Sequence, residues 1–256
     1  MYADTCSALA AAAKNKIALL KARPAAFFLS SVQAGVYVAF GGIVFLSTGG
    51  FLTAAGYPAA KFLAGLTFSA ALSLVLMAGC DLFTGNNLTL GMGLLESTVT
   101  LRQALAAWGV CWLGNLAGSV GAALLFYAAG LAGAETTAAY TATVALGKVS
   151  AGAGALFARG VLCNICVCLA VWCGSRMKSE SGKLIMVVWC ILVFMLSGFE
   201  HSVANMCLLP LALLTGAPGV TLAGTAYNLL AVTLGNLAGG FAGVALPYWF
   251  ISRPKR

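Results

Sequence analysis

His201 is the only histidine of the 256-residue chain, and it lies beside Glu200 between two long apolar stretches. An ionisable side chain at membrane depth is costly, so it indicates a functional role such as handling a proton. A neutral imidazole can both donate and accept a proton, and Asn205 follows about one helical turn later on the same face. The alternative is a histidine that only ties two helices together through a hydrogen bond.

Glu200 and Asp81 are the only acids within the predicted membrane helices. Each interrupts an apolar stretch, and a carboxylate at the start of a half-helix can accept hydrogen bonds from free backbone N–H groups. We therefore predict that both acids cap half-helices, with a proton relay as the alternative. Thr84 supplies a hydroxyl that could face His201, and Asn164 adds an uncharged polar group.

Lys148 and Arg159 lie before and within the fourth predicted helix, on the side away from the chain termini. Basic residues at the mouth of a pore raise the local concentration of anions, although Arg159 could instead extend to the membrane interface. Apolar rings can gate or dehydrate a pore. Apolar side chains flank the polar groups at Phe68, Leu72, Leu82, Phe83, Val167, Phe194 and Phe199.

Three of the nine cysteines, Cys163, Cys166 and Cys168, lie close together in one apolar stretch. No histidine or carboxylate accompanies them, so they make a poor zinc site, and we expect buried structural thiols with no metal and no cofactor. A membrane-embedded thiol redox enzyme stays open as an alternative, and it predicts that replacing these cysteines abolishes function.

The composition determines where these residues must lie. Hydrophobic residues make up 61% of the chain and charged residues 8%, with a mean hydropathy of +0.98, which excludes a soluble domain and indicates a membrane protein. The net charge of +8 is distributed beside the apolar stretches, and we expect no nucleic-acid partner. The predicted membrane helices are 26–48, 61–95, 104–131, 150–175, 184–214 and 221–250.

Polar segments at 80–87 and 197–205 break the second and fifth predicted helices. The hexapeptide at 113–118 recurs with the same residues at 234–239. Paired interruptions in two halves point to inverted repeats and to a binding or conduction site between them. We therefore predict one transmembrane channel domain spanning 1–256, with a first repeat at 26–131 and a second at 150–250.

The positive-inside rule predicts that both termini, including an N-terminal segment at 1–23, face the cytoplasm. No cleavable signal peptide is recognisable. The predicted cytoplasmic segments carry Lys14, Lys16, Lys21, Arg23, Arg102, Arg176, Lys178, Lys183, Arg253, Lys255 and Arg256. The opposite loops carry few charges, chiefly Lys61, Glu135 and Lys148.

Four motifs, at 82–85 (LFTG), 162–164 (LCN), 198–206 (GFEHSVANM) and 233–236 (TLGN), closely resemble the formate/nitrite transporter family over nearly the whole chain. The resemblance implies an all-α, aquaporin-like fold of six helices per protomer with helices two and five broken. It also implies a homopentamer surrounded by lipid in a prokaryotic inner membrane. Each protomer would hold one pore for small monovalent anions.

The resemblance further implies roles for individual residues. Thr84 would lie on a loop opposite His201, and Lys148 would attract anions. Asn164 and Asn205 would lie between two constrictions. The outer constriction would consist of Phe68, Phe194 and His201, and the inner one would lie near Leu72, Leu82, Phe83 and Val167.

The segments 112–116 and 160–164 look most like the nitrite-channel branch, with formate and hydrosulfide channels as alternatives. A neutral-solute pore of the aquaporin type is disfavoured because neither break contains an Asn-Pro-Ala motif. Our hypothesis is that His201 supplies or shares a proton as the anion passes the apolar rings.

Overall fold

The computed structural model describes residues 2–253, and these residues form helices without any β-strand. The α-helices are α1 (Ala3–Ala22), α2 (Pro24–Ala54), α3 (Ala60–Thr67), α4 (Ser69–Ala78), α5 (Phe83–Leu95), α6 (Leu101–Ala128), α7 (Glu135–Val149), α8 (Ala153–Arg176), α9 (Glu180–Ser197), α10 (Ser202–Leu214), α11 (Leu222–Gly240) and α12 (Leu246–Ser252). A π-helical segment, Phe241–Ala245, joins α11 to α12.

Six helical segments of the described chain are long and apolar enough to cross a membrane. They are Pro24–Ala54, Ala60–Ala78, Leu101–Ala128, Ala153–Arg176, Glu180–Ser197 and Leu222–Ser252. The predicted all-α fold with six membrane helices is therefore confirmed. Lys255 and Arg256, which entered the charge argument, lie outside the described residues.

Local sequence explains several helix ends. Pro24 begins α2, and the Thr100 side chain accepts a hydrogen bond from the Gln103 N–H to start α6. The helices α4 and α9 end at Gly79 and Gly198, whose φ angles of 78° and 72° suit glycine. Both broken helices therefore stop at a glycine just before the acidic residue.

The predicted helix positions require three corrections. The interruptions are shorter than 80–87 and 197–205: residues 79–82 and 198–201 leave the helix, and the polar residues that follow form the first turns of α5 and α10. The segments 1–23 and 132–149, treated as a terminal segment and a loop, contain α1 and α7. These two helices lie outside the long apolar stretches, so hydropathy alone does not predict them.

Glycines bring two helix pairs into close contact. α6 packs along α2 where Gly114 faces Ser31, and α11 packs along α8 where Gly239 faces the backbone of Val161. A Cβ atom added at Gly239 would lie 2.9 Å from the carbonyl carbon of Val161, closer than real Cβ atoms come. These small residues allow the backbones to approach as in other membrane helix pairs.

We expect Gly239→Ala to lower the thermal stability of the detergent-solubilised protein, because the new methyl group must push α8 and α11 apart. Overpacking of this kind costs about 1–3 kcal/mol. Gly154→Ala is the matched control, since a Cβ atom at Gly154 meets nothing within 4 Å. A melting temperature that falls equally in both variants would contradict the close approach of α8 and α11.

Candidate functional site

The site is built where the two broken helices restart. After α4 ends, Asp81 and Leu82 precede α5; after α9 ends, Glu200 and His201 precede α10. Leu82 and His201 are the N-cap residues of α5 and α10, and both have extended backbone. The acids thus sit one residue before the cap in both cases, 119 residues apart.

At each start an asparagine side chain, and not the acid, accepts a hydrogen bond from a free backbone N–H group. The Asn115 Oδ1 atom accepts a hydrogen bond of 2.8 Å from the Phe83 N–H. The Asn236 Oδ1 atom accepts one of 2.9 Å from the Ser202 N–H. The prediction that Asp81 caps its half-helix is wrong, because its carboxylate binds side chains instead.

The same asparagines also hold the non-helical backbone in place. Asn236 Nδ2 donates to the carbonyl oxygens of Gly160 at 2.8 Å and Glu200 at 2.9 Å. Asn115 Nδ2 donates correspondingly to Ser31 at 2.7 Å and Asp81 at 2.9 Å. Backbone outside a helix is tolerated at membrane depth only where protein or water satisfies it. The hydrogen bonds of the two asparagines meet this requirement.

Each acid is paired with a lysine. Glu200 Oε1 and Oε2 lie 3.1 and 3.0 Å from Lys148 Nζ, and Glu200 Oε2 also accepts a 2.7 Å hydrogen bond from Asn205 Nδ2. The prediction that Glu200 caps α10 through backbone N–H groups is therefore also wrong. In the other half, Asp81 forms an ion pair with Lys16.

Asp81 has further polar partners. Its carboxylate accepts hydrogen bonds from Ser30 Oγ at 2.8 Å and from Asn86 Nδ2 at 3.4 Å. Asn86 and Asn205 both lie five residues after the acid that they bind. Paired and hydrogen-bonded acids are the arrangement expected for buried charge.

His201 is 95% buried and is held on both of its ring nitrogens. Nδ1 accepts a 3.0 Å hydrogen bond from the Ala204 N–H, and Nε2 lies 3.1 Å from the Thr84 hydroxyl oxygen. Since Nδ1 is an acceptor, the hydrogen-bond network assigns the proton of the neutral ring to Nε2. Nε2–H then donates to Thr84, and the ring stacks on Phe194 with centroids 5.9 Å apart.

Asn164 and Asn205 form further hydrogen bonds that connect the two helix starts to neighbouring helices. Asn164 Nδ2 donates to the carbonyl oxygens of Thr84 at 3.3 Å and Asn236 at 2.6 Å. Asn205 Nδ2, besides binding Glu200, donates to Asn228 Oδ1 at 2.7 Å. Both asparagines are fully buried, so their hydrogen bonds fix the positions of the two helix starts.

Three cavities follow one another through this site. A cavity of about 580 Å³, the outer vestibule, shares Phe68 and His201 with a central space of about 10 Å³. The central space shares Leu72 and Leu82 with a cavity of about 90 Å³, the inner vestibule. A single water molecule needs about 10–15 Å³, so the central space is a constriction.

The predicted apolar residues divide among these cavities. Leu72, Leu82 and Val167 line the central space, while Phe194 and Phe199 line the outer vestibule. Phe68 lines both. Within residues 2–253, the predicted site residues that line none of the three cavities are Phe83, Thr84 and Asn164.

Charged residues distinguish the two vestibules. Lys61, Lys148, Arg159 and Glu200 line the outer vestibule, and Lys16 lines the inner one. Arg159 thus lies at the cavity, where a basic side chain can attract anions. The outer vestibule therefore carries more positive than negative side chains, which favours anions.

Several residues of the site escaped the sequence analysis. No sequence pattern identifies Lys16 and Asn228 as site residues, because their partners are distant in the chain. Asn115 and Asn236 do belong to a pattern, since both occupy the third position of the repeated hexapeptide. The repetition indicates duplication, and the shared capping role of the two asparagines becomes apparent only from their hydrogen bonds.

Comparison with known proteins identifies a matching family and several similar transporters. The sequence model of the family described as "Formate/nitrite transporter" matches residues 3–250. The nitrite transporter NirC of Salmonella typhimurium is 40% identical over 256 residues, covering 100% of this chain and 93% of the relative. The nitrite transporter NirC of Escherichia coli is 39% identical, covering 100% of this chain and 94% of the relative.

Two solved structures are similar to the structure of this chain. One, described as an FNT family ion channel, is 39% identical with a TM-score of 0.92, covering 98% of this chain and 100% of the other. The second, a pentameric formate channel with formate bound, is 27% identical with a TM-score of 0.79. The match covers 91% of this chain and 98% of the other.

These relatives are named as transporters and channels, which excludes the thiol redox enzyme that the cysteines had left open. Six apolar helices and bacterial relatives make the chain a multi-pass membrane protein. A match over residues 3–250, together with full-length relatives at about 40% identity, shows that this chain belongs to the formate/nitrite transporter family.

Proposed function

We propose that the protein is a channel for small monovalent weak-acid anions, with nitrite as the favoured substrate and formate or hydrosulfide as the alternatives. One observation carries the proposal: His201 stands between a vestibule rich in basic residues and an apolar constriction. The similarity to nitrite transporters from two bacteria supports the choice of nitrite.

In the proposed mechanism, the anion enters the outer vestibule and loses water as it approaches Phe68 and His201. An ion is far more costly than a neutral molecule in the apolar space beyond. Protonation of the anion to its conjugate acid therefore becomes more favourable as it is dehydrated. The neutral acid passes Leu72 and Leu82 and returns the proton to water on the other side.

The role of His201 in this mechanism is to share or supply a proton through Nε2. Thr84 accepts from Nε2–H in the resting state, so the passing anion would replace Thr84 as the partner of that proton. A second proton on Nδ1 would break the hydrogen bond from the Ala204 N–H. The geometry thus favours a neutral ring that donates, with the proton for the anion drawn ultimately from the vestibule water.

We propose a homopentamer in a prokaryotic inner membrane, with both termini on the cytoplasmic side and each chain forming one channel domain of two inverted repeats. The pentameric formate channel, 27% identical, supports the assembly. The corresponding hydrogen bonds of Asn115 and Asn236 support the repeat. The basic residues of the predicted cytoplasmic segments support the orientation.

The function is tested by anion flux into proteoliposomes that contain the purified protein. We compare nitrite, formate, hydrosulfide and chloride across a pH series, with His201→Phe alongside. Wild-type flux of a weak-acid anion should rise as pH falls, and the variant should be about tenfold slower across the pH series, since one strong hydrogen bond to the passing anion is lost.

Cys190→Ala is the control, because Cys190 lies among the apolar residues of α9 and lines none of the three cavities within the described chain. Its flux should match that of the wild type. An unchanged rate across the pH series in His201→Phe would contradict the role of the histidine. Wild-type flux no greater than that of empty liposomes would contradict the channel itself.

A further inference from the structure

The positive charges of the outer vestibule are not equivalent. Lys148 has a side chain that is only 15% exposed, and its Nζ atom contacts both carboxylate oxygens of Glu200. Lys148 and Glu200 together form a neutral pair. A neutral pair adds little to the field at the mouth of a cavity, whereas an isolated charge adds all of its own.

Lys61 and Arg159, which we call the rim cations, are in a different position. Both line the outer vestibule and both are exposed. Within residues 2–253, neither forms a salt bridge, since the three that occur are Lys16 with Asp81, Lys148 with Glu200 and Arg253 with Glu96. The net positive charge of the vestibule therefore comes from the rim cations.

The fold directs the rim cations toward the path of the anion. Lys61 lies in the first turn of α3, the helix that leads to Phe68, while Arg159 belongs to α8. The backbone carbonyl of Arg159 accepts a 3.2 Å hydrogen bond from the Glu200 N–H, which ties its position to the start of α10. Both cations thus flank the cavity whose narrow end is formed by Phe68 and His201.

We propose that Lys61 and Arg159 form the anion-capture site of the channel, and that Lys148 is a positioning residue that holds Glu200. This inference rests on the proposed function for its biological meaning. The captured ligand is a small monovalent anion that keeps its water shell. Capture raises the local anion concentration and leaves the later passage through the constriction unchanged.

The first experiment measures the electrostatic potential of the vestibule without any need for conduction. Thr143 lines the outer vestibule and is exposed, so we introduce Thr143→Cys and compare its rates of reaction with an anionic and a cationic methanethiosulfonate reagent. The parent protein without this substitution supplies the background of its native cysteines. Adding Lys61→Gln and Arg159→Gln should lower the anionic-to-cationic rate ratio about tenfold at low ionic strength.

The matched variant is Lys148→Met combined with Glu200→Gln, which replaces one neutral pair by another. The ratio should then stay within about twofold of its starting value, because no net charge is lost. A ratio that falls with this pair, or that does not change without the rim cations, overturns the proposal. This result is independent of the transported species, so a failure here is distinct from a failure of the proposed function.

The second experiment measures nitrite uptake at low and high concentrations of potassium gluconate. Arg159→Gln should raise the half-saturating nitrite concentration about threefold and the double variant about tenfold, with the maximal rate unchanged, and high salt should remove the difference. Arg102→Gln, an exposed arginine at the start of α6, is the control. A reduced maximal rate, or an effect that persists at high salt, overturns the proposal.

Discussion

Replacing Asn236 by alanine should greatly reduce the yield of folded protein and lower the melting temperature of what remains. The change leaves the buried Ser202 N–H without its acceptor and the Glu200 carbonyl without the donor it has here, and it removes one of the hydrogen bonds that the helical Gly160 carbonyl accepts. Each buried polar group left unsatisfied costs about 1–3 kcal/mol, so we expect a loss of about 4 kcal/mol in the free energy of unfolding. Asn236 is fully buried, so bulk water cannot replace it directly.

Thermal unfolding in detergent, followed by tryptophan fluorescence, measures this effect. Asn15→Ala is the matched control, since Asn15 is an exposed residue of α1, and it should behave like the wild type. Asn115→Ala should be about as damaging as Asn236→Ala because Asn115 makes the corresponding hydrogen bonds. A melting temperature of Asn236→Ala within about 2 °C of the wild type would show that the break does not depend on this side chain.

Removing Lys148 should have the second-largest effect. Lys148→Met leaves Glu200, whose side chain is 5% exposed, as a buried charge without its counter-ion. Breaking a buried ion pair in this way costs about 3–5 kcal/mol. We therefore expect a clear loss of thermal stability, measured as for Asn236→Ala.

A double-variant cycle separates the coupling free energy of the ion pair from the destabilisation that each substitution causes by itself. Lys148→Met combined with Glu200→Gln should recover most of the lost stability, because no isolated charge remains and Asn205 can still donate to the glutamine oxygen. Arg253→Gln breaks an ion pair with Glu96 whose arginine side chain is 48% exposed, and it should change little. Additive losses in the double variant would contradict a coupled pair.

The sequence allows the membrane helices to be predicted well because lipid requires long uninterrupted apolar stretches. It does not reveal α1 and α7 in the same way. α1 packs mainly against α5 and α7 mainly against α2, and such partners appear only when the chain is folded. Asp81 and Glu200 mark the two interruptions in the sequence, but the polar residues that follow them belong to the first turns of α5 and α10.

The residues of the candidate site likewise divide into those that the sequence reveals and those that only the folded structure reveals. His201 and Glu200 could be selected because ionisable groups are rare and costly inside apolar segments. Thr84 could be proposed as a group that faces His201, although the two residues are 117 positions apart, and they form a hydrogen bond. The ion pair between Lys148 and Glu200, which are 52 positions apart, could not be predicted. Lys148 pairs with a carboxylate, whereas Arg159 forms no salt bridge within residues 2–253, and this difference likewise depends on tertiary contacts.

The surroundings of α10 constrain how this part of the sequence can vary among natural homologues. Every residue from Ser202 to Leu209 is buried, so this helix presents no face to lipid over more than two turns. By contrast, α9 exposes Ile185, Trp189 and Val193 at intervals of four residues along one stripe. Apolar substitutions along that stripe alter few contacts within the chain. In α10 each substitution alters a contact inside the protein, so we expect few substitutions from Ser202 to Leu209 to be neutral.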